Sequence, residues 1–155
     1  MAGAEFALDF LAGETDLHAS GSARLGSMAP GDDSVTTQLR NPASLVAEGP
    51  RRLTKLVLFP VRFLFTASTG QVGTNALAVE DYLARPDAPA KALVEAAMGW
   101  RVVAPESADD AARLVEEGVI PLYRYFIEDH RRRLASLSRN DLSERYERWQ
   151  ERLLA

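Results

Sequence analysis

From Pro42 onward, apolar residues recur three and four positions apart, the spacing that places them on one face of an α-helix. The clearest stripe is Tyr123, Phe126, Ile127, His130, Leu134 and Leu137, and a second is Leu142, Tyr146, Trp149 and Leu153. Residues 53–67 are apolar almost all round, as a buried core helix is. Start and stop signals frame these runs. Pro50 suits a first helical turn and Gly70 a C-terminal cap. Pro60 should kink or break the helix between them, because it has no N–H and its ring crowds the preceding turn. Thr74 or Asn75 caps a helix carrying Leu77, Val79, Tyr82 and Leu83, and Pro86 stops it. Asp87 caps the next, with Leu93, Val94, Ala97 and Trp100. Ser107 and Asp110 have capping-box spacing and open a short helix that Gly118 ends. Pro121 then opens the long helix of the first stripe, and Asn140 caps the last.

The N-terminal part is less regular. Residues 5–19 read either as an amphipathic helix with Phe6, Phe10 and Leu17 as apolar points, or as a short strand over 6–10. Residues 20–41, rich in Gly, Ser, Asp and Thr, read as loop or linker. The expected architecture is an all-α bundle of about five to six helices over residues 42–155, after a loop-rich connector over 1–41. The periodic pattern is already running at Glu5, which suggests a piece of a longer protein.

Composition narrows the functional classes. The 155 residues suit one core, and 46% hydrophobic with 26% charged residues favours folding over disorder. With no cysteine there are no disulfides, thiolate metal sites or cysteine nucleophiles, in keeping with a cytoplasmic protein. Glu5 and Asp9 argue against a signal peptide. Residues 56–67 are too few to span a bilayer, and Arg62 interrupts them. The net charge of -4 argues against a general nucleic-acid binder.

Four constellations could carry chemistry. Gly21 and Ser22, followed by Asp32 and Asp33, come near the Gly-Ser…Asp-x-Asp pattern of polymerase-β-type nucleotidyltransferases. There two carboxylates share Mg²⁺. Adjacent carboxylates on a strand point to opposite faces, so this segment reads as a loop and the motif as incomplete. Arg124 and His130 have the separation of the arginine and histidine in HEPN-type ribonucleases, but His130 also lies on the apolar stripe of a core helix. Eight arginines from Arg124 to Arg152 alternate with six acids, the pattern of a solvated charged face. Arg62, inside the most apolar helix, must be paired or face a polar cavity. His18 has no second ligand at metal spacing.

The order of the helical motifs resembles the C-terminal helical domain of aminoglycoside nucleotidyltransferases of the streptomycin/spectinomycin adenylyltransferase type. The motifs are Val61, Arg62 and Phe63 running to Thr69 and Gly70; then Ala78, Glu80, Asp81, Tyr82 and Arg85; then Leu93, Glu95 and Ala96; and finally Leu122, Tyr123, Arg124, Tyr125 and Phe126. Residues 9–26 resemble that family's connector. The resemblance implies a helical domain that closes over a Mg-bound ATP and holds the acceptor, with the catalytic carboxylates on a preceding domain. It implies that Arg85 and Tyr125 meet the nucleotide and that Arg62, Gln71, Asn75, Glu80 and Asp81 lie at the acceptor. Where the family has a lysine this chain has Ala97, and Gln71 and Asn75 stand where the family tends to place acids for a cationic drug. The partners implied are a small-molecule acceptor and a catalytic domain, and the chain alone is expected to be inactive. Two alternatives are a HEPN-like ribonuclease using Arg124 and His130, and a helical interaction module that dimerises or docks a partner.

Overall fold

A computed structural model describes residues 1, 3–13 and 34–155. The fold is all-α: among the described residues there are eight helices, six of them within residues 42–155 as expected and two more in the N-terminal segment. They are α1 (Ala4–Leu11), α2 (Ser34–Leu39), α3 (Pro42–Ala47), α4 (Pro50–Thr69), α5 (Asn75–Ala84), α6 (Lys91–Trp100), α7 (Ala108–Ser136) and α8 (Asn140–Leu154). The long α7 is the spine. On one side it packs against α3, α4 and α6, with α5 laid on α4 and α6; on the other it packs against α8, which α1 and α2 cover.

The helix ends follow local chemistry. Pro50 opens α4, and Gly70 closes it in the left-handed region at φ 71°, its N–H reaching the Thr66 carbonyl. Thr74 caps α5 by accepting the Leu77 N–H at 3.2 Å. Ser107 caps α7 by accepting from the Asp110 N–H at 3.2 Å. Pro60 does not end α4. It removes the donor that the Leu56 carbonyl would have had four residues on. The Tyr123 hydroxyl of α7 supplies that donor instead, at 2.6 Å, and so ties α7 to the middle of α4.

Several expectations need correction. Gly118 does not end a helix and Pro121 does not open one: α7 runs unbroken through both. Gly118 is buried where α6 crosses α7, and a Cβ there would lie 3.0 Å from the Ala90 Cβ. Its smallness serves the crossing, not a turn. Pro121 lies on the exposed face of α7, where its missing hydrogen bond costs least. Asp87 is not a cap, because Ala90, at φ 57°, precedes α6. Asn140 is the first helical residue of α8 and Arg139 takes the cap position. Residues 34–39, read as loop, form α2, fixed by a hydrogen bond from Trp149 Nε1 to Thr36 Oγ1 at 3.2 Å. Residues 6–10 are helical, not a strand, but Phe6 is 57% exposed. The buried face of α1 is instead Ala4, Ala7, Leu8 and Leu11, small enough to lie close to α8, whose Tyr146 hydroxyl donates to the Ala4 carbonyl at 2.8 Å.

Tyr123, Phe126, Tyr146 and Trp149 form an edge-to-face core between α7 and α8, with centroids 5.9–6.3 Å apart. Each polar tip in this core reaches an acceptor, which lets amphipathic aromatics be buried without loss. Leu137, the last point of the first stripe, is exposed because the chain leaves the helix there.

Candidate functional site

Two concave regions flank α4 and its neighbours. The larger is an open groove of about 660 Å³ between the start of the α5–α6 turn, α7 and α8. Tyr125, Asp87, Glu128, Arg131, Arg132 and Ser143 line it. Tyr125 stands at its edge. Its ring packs edge-on against Tyr82 at 6.0 Å, and its hydroxyl donates to Asp87 Oδ1 at 3.2 Å. Tyr82 in turn donates to the Pro89 carbonyl at 2.8 Å, and burial pushes its hydroxyl above the usual tyrosine range.

Arg85 follows α5 and lies beside Tyr125. Its guanidinium donates twice to Asp81 Oδ2, at 3.1 and 2.9 Å, and also to Ser68 Oγ at 3.2 Å and the Leu64 carbonyl at 3.4 Å. Burial works against its charge, but the adjacent Tyr125 hydroxyl and the Asp81 carboxylate outweigh that and hold its pKa above the ordinary value. Arg85 therefore straps the end of α5 to the last turns of α4, near its negative C-terminal end.

The second region is a cleft of about 300 Å³ against the outer face of α4. Arg51, Thr54, Lys55, Leu58, Phe59 and Arg62 contribute from α4, with Asn75 from α5 and Arg101 from the end of α6. Arg62 is partly exposed and donates to the Gly73 carbonyl at 3.2 Å, which holds the α4–α5 turn in place. Of the two alternatives for Arg62, pairing with an acid or facing a polar cavity, no ion pair forms among the described residues; it bonds the Gly73 carbonyl and borders this cleft. Lys55 Nζ lies over the Phe10 and Phe59 rings, at 5.1 and 5.3 Å, a cation–π arrangement.

The residues expected at one site divide between these regions. Arg85, Asp81 and Tyr125 come together near the groove; Arg62 and Asn75 come together at the cleft. Gln71 and Glu80 are exposed and line neither. Lys55, Phe59, Arg51 and Arg101 were not singled out from the sequence. Their signal was present, since positions 51, 55, 59 and 62 lie on one face of a helix. Asp87, Arg131 and Arg132 carried no such signal, because only the tertiary fold brings α5, α7 and α8 together.

Arg124 and His130 do not share a site. Arg124 is exposed and paired with Glu128 Oε1 at 2.9 Å, whereas His130 is 1% exposed. The His130 ring packs on Phe126 at 4.4 Å, and burial drives its pKa down. Its Nδ1 lies 3.5 Å from Asp129 Oδ2, too long for a good hydrogen bond. Burial alone would raise the Asp129 carboxyl; His130 and Arg133 outweigh it and bring it down to about 2. The C-terminal arginines are largely matched by the interleaved acids: Arg131 with Glu147, Arg133 with Asp129, Arg139 with Asp141. Gly21, Ser22, Asp32, Asp33 and His18 lie outside the described residues. Among the described residues, no group of three His, Cys, Asp or Glu side chains could hold a metal ion, and no helix is long and apolar enough to cross a membrane. Comparison with protein-family models, with curated proteins and with solved structures finds no match to this chain.

Proposed function

We propose that this chain is the helical, nucleotide-side domain of a nucleotidyltransferase-like protein. The order of the four helical motifs supports this reading. The observation that carries it is the meeting of Arg85 and Asp81, from one motif, with Tyr125, from another, at the edge of one groove. Its volume, about 660 Å³, lies in the range of small-molecule sites.

In such a protein the acceptor hydroxyl attacks the α-phosphorus of a Mg-bound ATP and pyrophosphate leaves. The catalytic carboxylates belong to a partner domain, and the magnesium is assigned to no described residue of this chain. This chain's residues bind and orient. Tyr125 borders the groove with its hydroxyl, and Arg132, largely exposed, supplies positive charge to the phosphates, whereas Arg131 is held by Glu147. Arg85 acts as a positioning residue, fixing α5 and Tyr125 rather than offering a free guanidinium. The acids do not converge to receive a polycation: Asp81 is engaged by Arg85 and Glu80 is exposed.

Calorimetric titration of the chain with ATP and Mg²⁺ tests the reading. Saturable binding is expected. Tyr125→Phe should weaken it about threefold to tenfold, the worth of one hydrogen bond, and Arg62→Gln should leave that Tyr125-dependent binding unchanged. No saturation at millimolar ATP, or indifference to Tyr125→Phe, would contradict it.

A further inference from the structure

The cleft at Arg62 and Asn75 is chemically the opposite of a site for a polycationic acceptor. Arg51, Lys55 and Arg62 follow one another at intervals of four and seven, so α4 presents them on one face, and Arg101 reaches the same space from the end of α6. None of the residues lining the cleft is acidic. Several arginines elsewhere are paired with acids: Arg85 with Asp81, Arg113 with Asp110, Arg124 with Glu128, Arg133 with Asp129. Among the described residues, no carboxylate lies in ion-pair range of Arg51, Lys55, Arg62 or Arg101. Four cations thus border about 300 Å³ with no acid in its lining, so an anion in the cleft would face positive charge alone.

The geometry suits a ligand of defined size. Arg62 spends one nitrogen on the Gly73 carbonyl, which fixes its planar fork and leaves further N–H donors for a bidentate contact. Asn75 lies in the first turn of α5, whose positive end also favours an anion. Phe59 adds an aromatic ring to the cleft lining, with the Lys55 ammonium over it. The cleft is small and concave, not an extended groove that would track a polymer, and the overall negative charge opposes nucleic acid.

We propose that this cleft binds a small phosphorylated molecule. Arg51, Lys55, Arg62 and Arg101 surround its phosphate, and Phe59 contacts its non-phosphate part. This holds whether or not the chain serves a transferase.

The test is titration of the full chain with sodium pyrophosphate at low ionic strength, followed by calorimetry. A saturable site that depends on Arg62 is expected. Arg62→Gln should weaken binding about tenfold or more, since a bidentate charged contact is lost. Arg101→Gln, at an exposed residue with no bond to hold in the fold, should weaken it several-fold without altering the circular dichroism. Arg148→Gln, exposed on α8 away from the cleft, and Tyr125→Phe should change nothing. AMP and ribose 5-phosphate separate the two ligand sources: tighter AMP binding that Phe59→Leu abolishes marks a nucleotide, and equal binding of the two marks a sugar phosphate. The proposal is overturned if pyrophosphate does not saturate, or if Arg148→Gln weakens it as much as Arg62→Gln. It is also overturned if a single-stranded oligonucleotide or an anionic vesicle binds through these residues while pyrophosphate does not. Loss of ATP binding at the Tyr125 groove would leave it standing.

Discussion

The two ends of α4 use arginine in opposite ways. At the C-terminal end, Arg85 donates to the Leu64 carbonyl and Ser68, and Arg133 to the Ala67 carbonyl at 3.2 Å. Each is backed by a carboxylate, Asp81 and Asp129, at 2.9 and 2.8 Å. These guanidiniums complete a helix end and hold α5 and α7 onto it. Along the outer face, from Arg51 to Arg62, the cations have no such carboxylate and border a cleft. The same side chain is a structural strap where a carboxylate and a carbonyl hold it together, and an available charge where no carboxylate does. Counting arginines therefore says little about function; following each to its partner says more.

The pin between the two ends is the bond from Tyr123 to the Leu56 carbonyl. Tyr123→Phe leaves that carbonyl buried without a donor and should cost about 2–3 kcal/mol in chemical denaturation. Pro60→Ala restores an N–H four residues on, so the double variant should recover much of the loss. Simple additivity of the two substitutions would show that the hydroxyl does not serve the proline's missing bond.

The strap at Asp129 should show itself in pH. Its folded pKa of about 2 lies below the ordinary 3.8, so its contribution is complete above about 3.8 and is lost as pH falls towards 2. The difference corresponds to about 2 kcal/mol. His130 adds a limb of the same sign. Its pKa is lowered, so the unfolded chain takes up a proton near 6.5 while the folded chain resists, and stability declines below that pH. Thermal unfolding from pH 7 to 2 should show both limbs, and Asp129→Asn should remove the lower one. A flat profile in the wild type would sink the strap assignment.

Much of the helical framework was legible in the sequence. Pro50, Gly70, Thr74 and Ser107 act at the positions their chemistry dictates, because caps and first-turn prolines depend on only a few neighbouring residues. The buried stripes of α7 and α8 follow directly from three-and-four spacing. The failures share a cause. Gly118 and Pro121 look like punctuation, but the first is a contact with α6 and the second faces solvent. Residues 34–39 look like a loop until Trp149 gives Thr36 a partner 113 residues away. The site was legible only in part. Arg62 was visible as an anomaly on an apolar helix, and its cavity is there. Which acids would be consumed by which arginines was not, since Asp81 and Arg85 read equally well as ligand contacts until the fold strapped them together.

The most direct test of the division along α4 is the shift in thermal midpoint produced by pyrophosphate in the wild type, Arg62→Gln and Arg85→Gln. Arg85→Gln should unfold more easily, by about 1–2 kcal/mol, yet keep the pyrophosphate shift. Arg62→Gln should change basal stability by less than about 1 kcal/mol and lose the shift. If Arg62→Gln retains the shift, or Arg85→Gln loses it while folded, the two ends of α4 do not divide the work in this way.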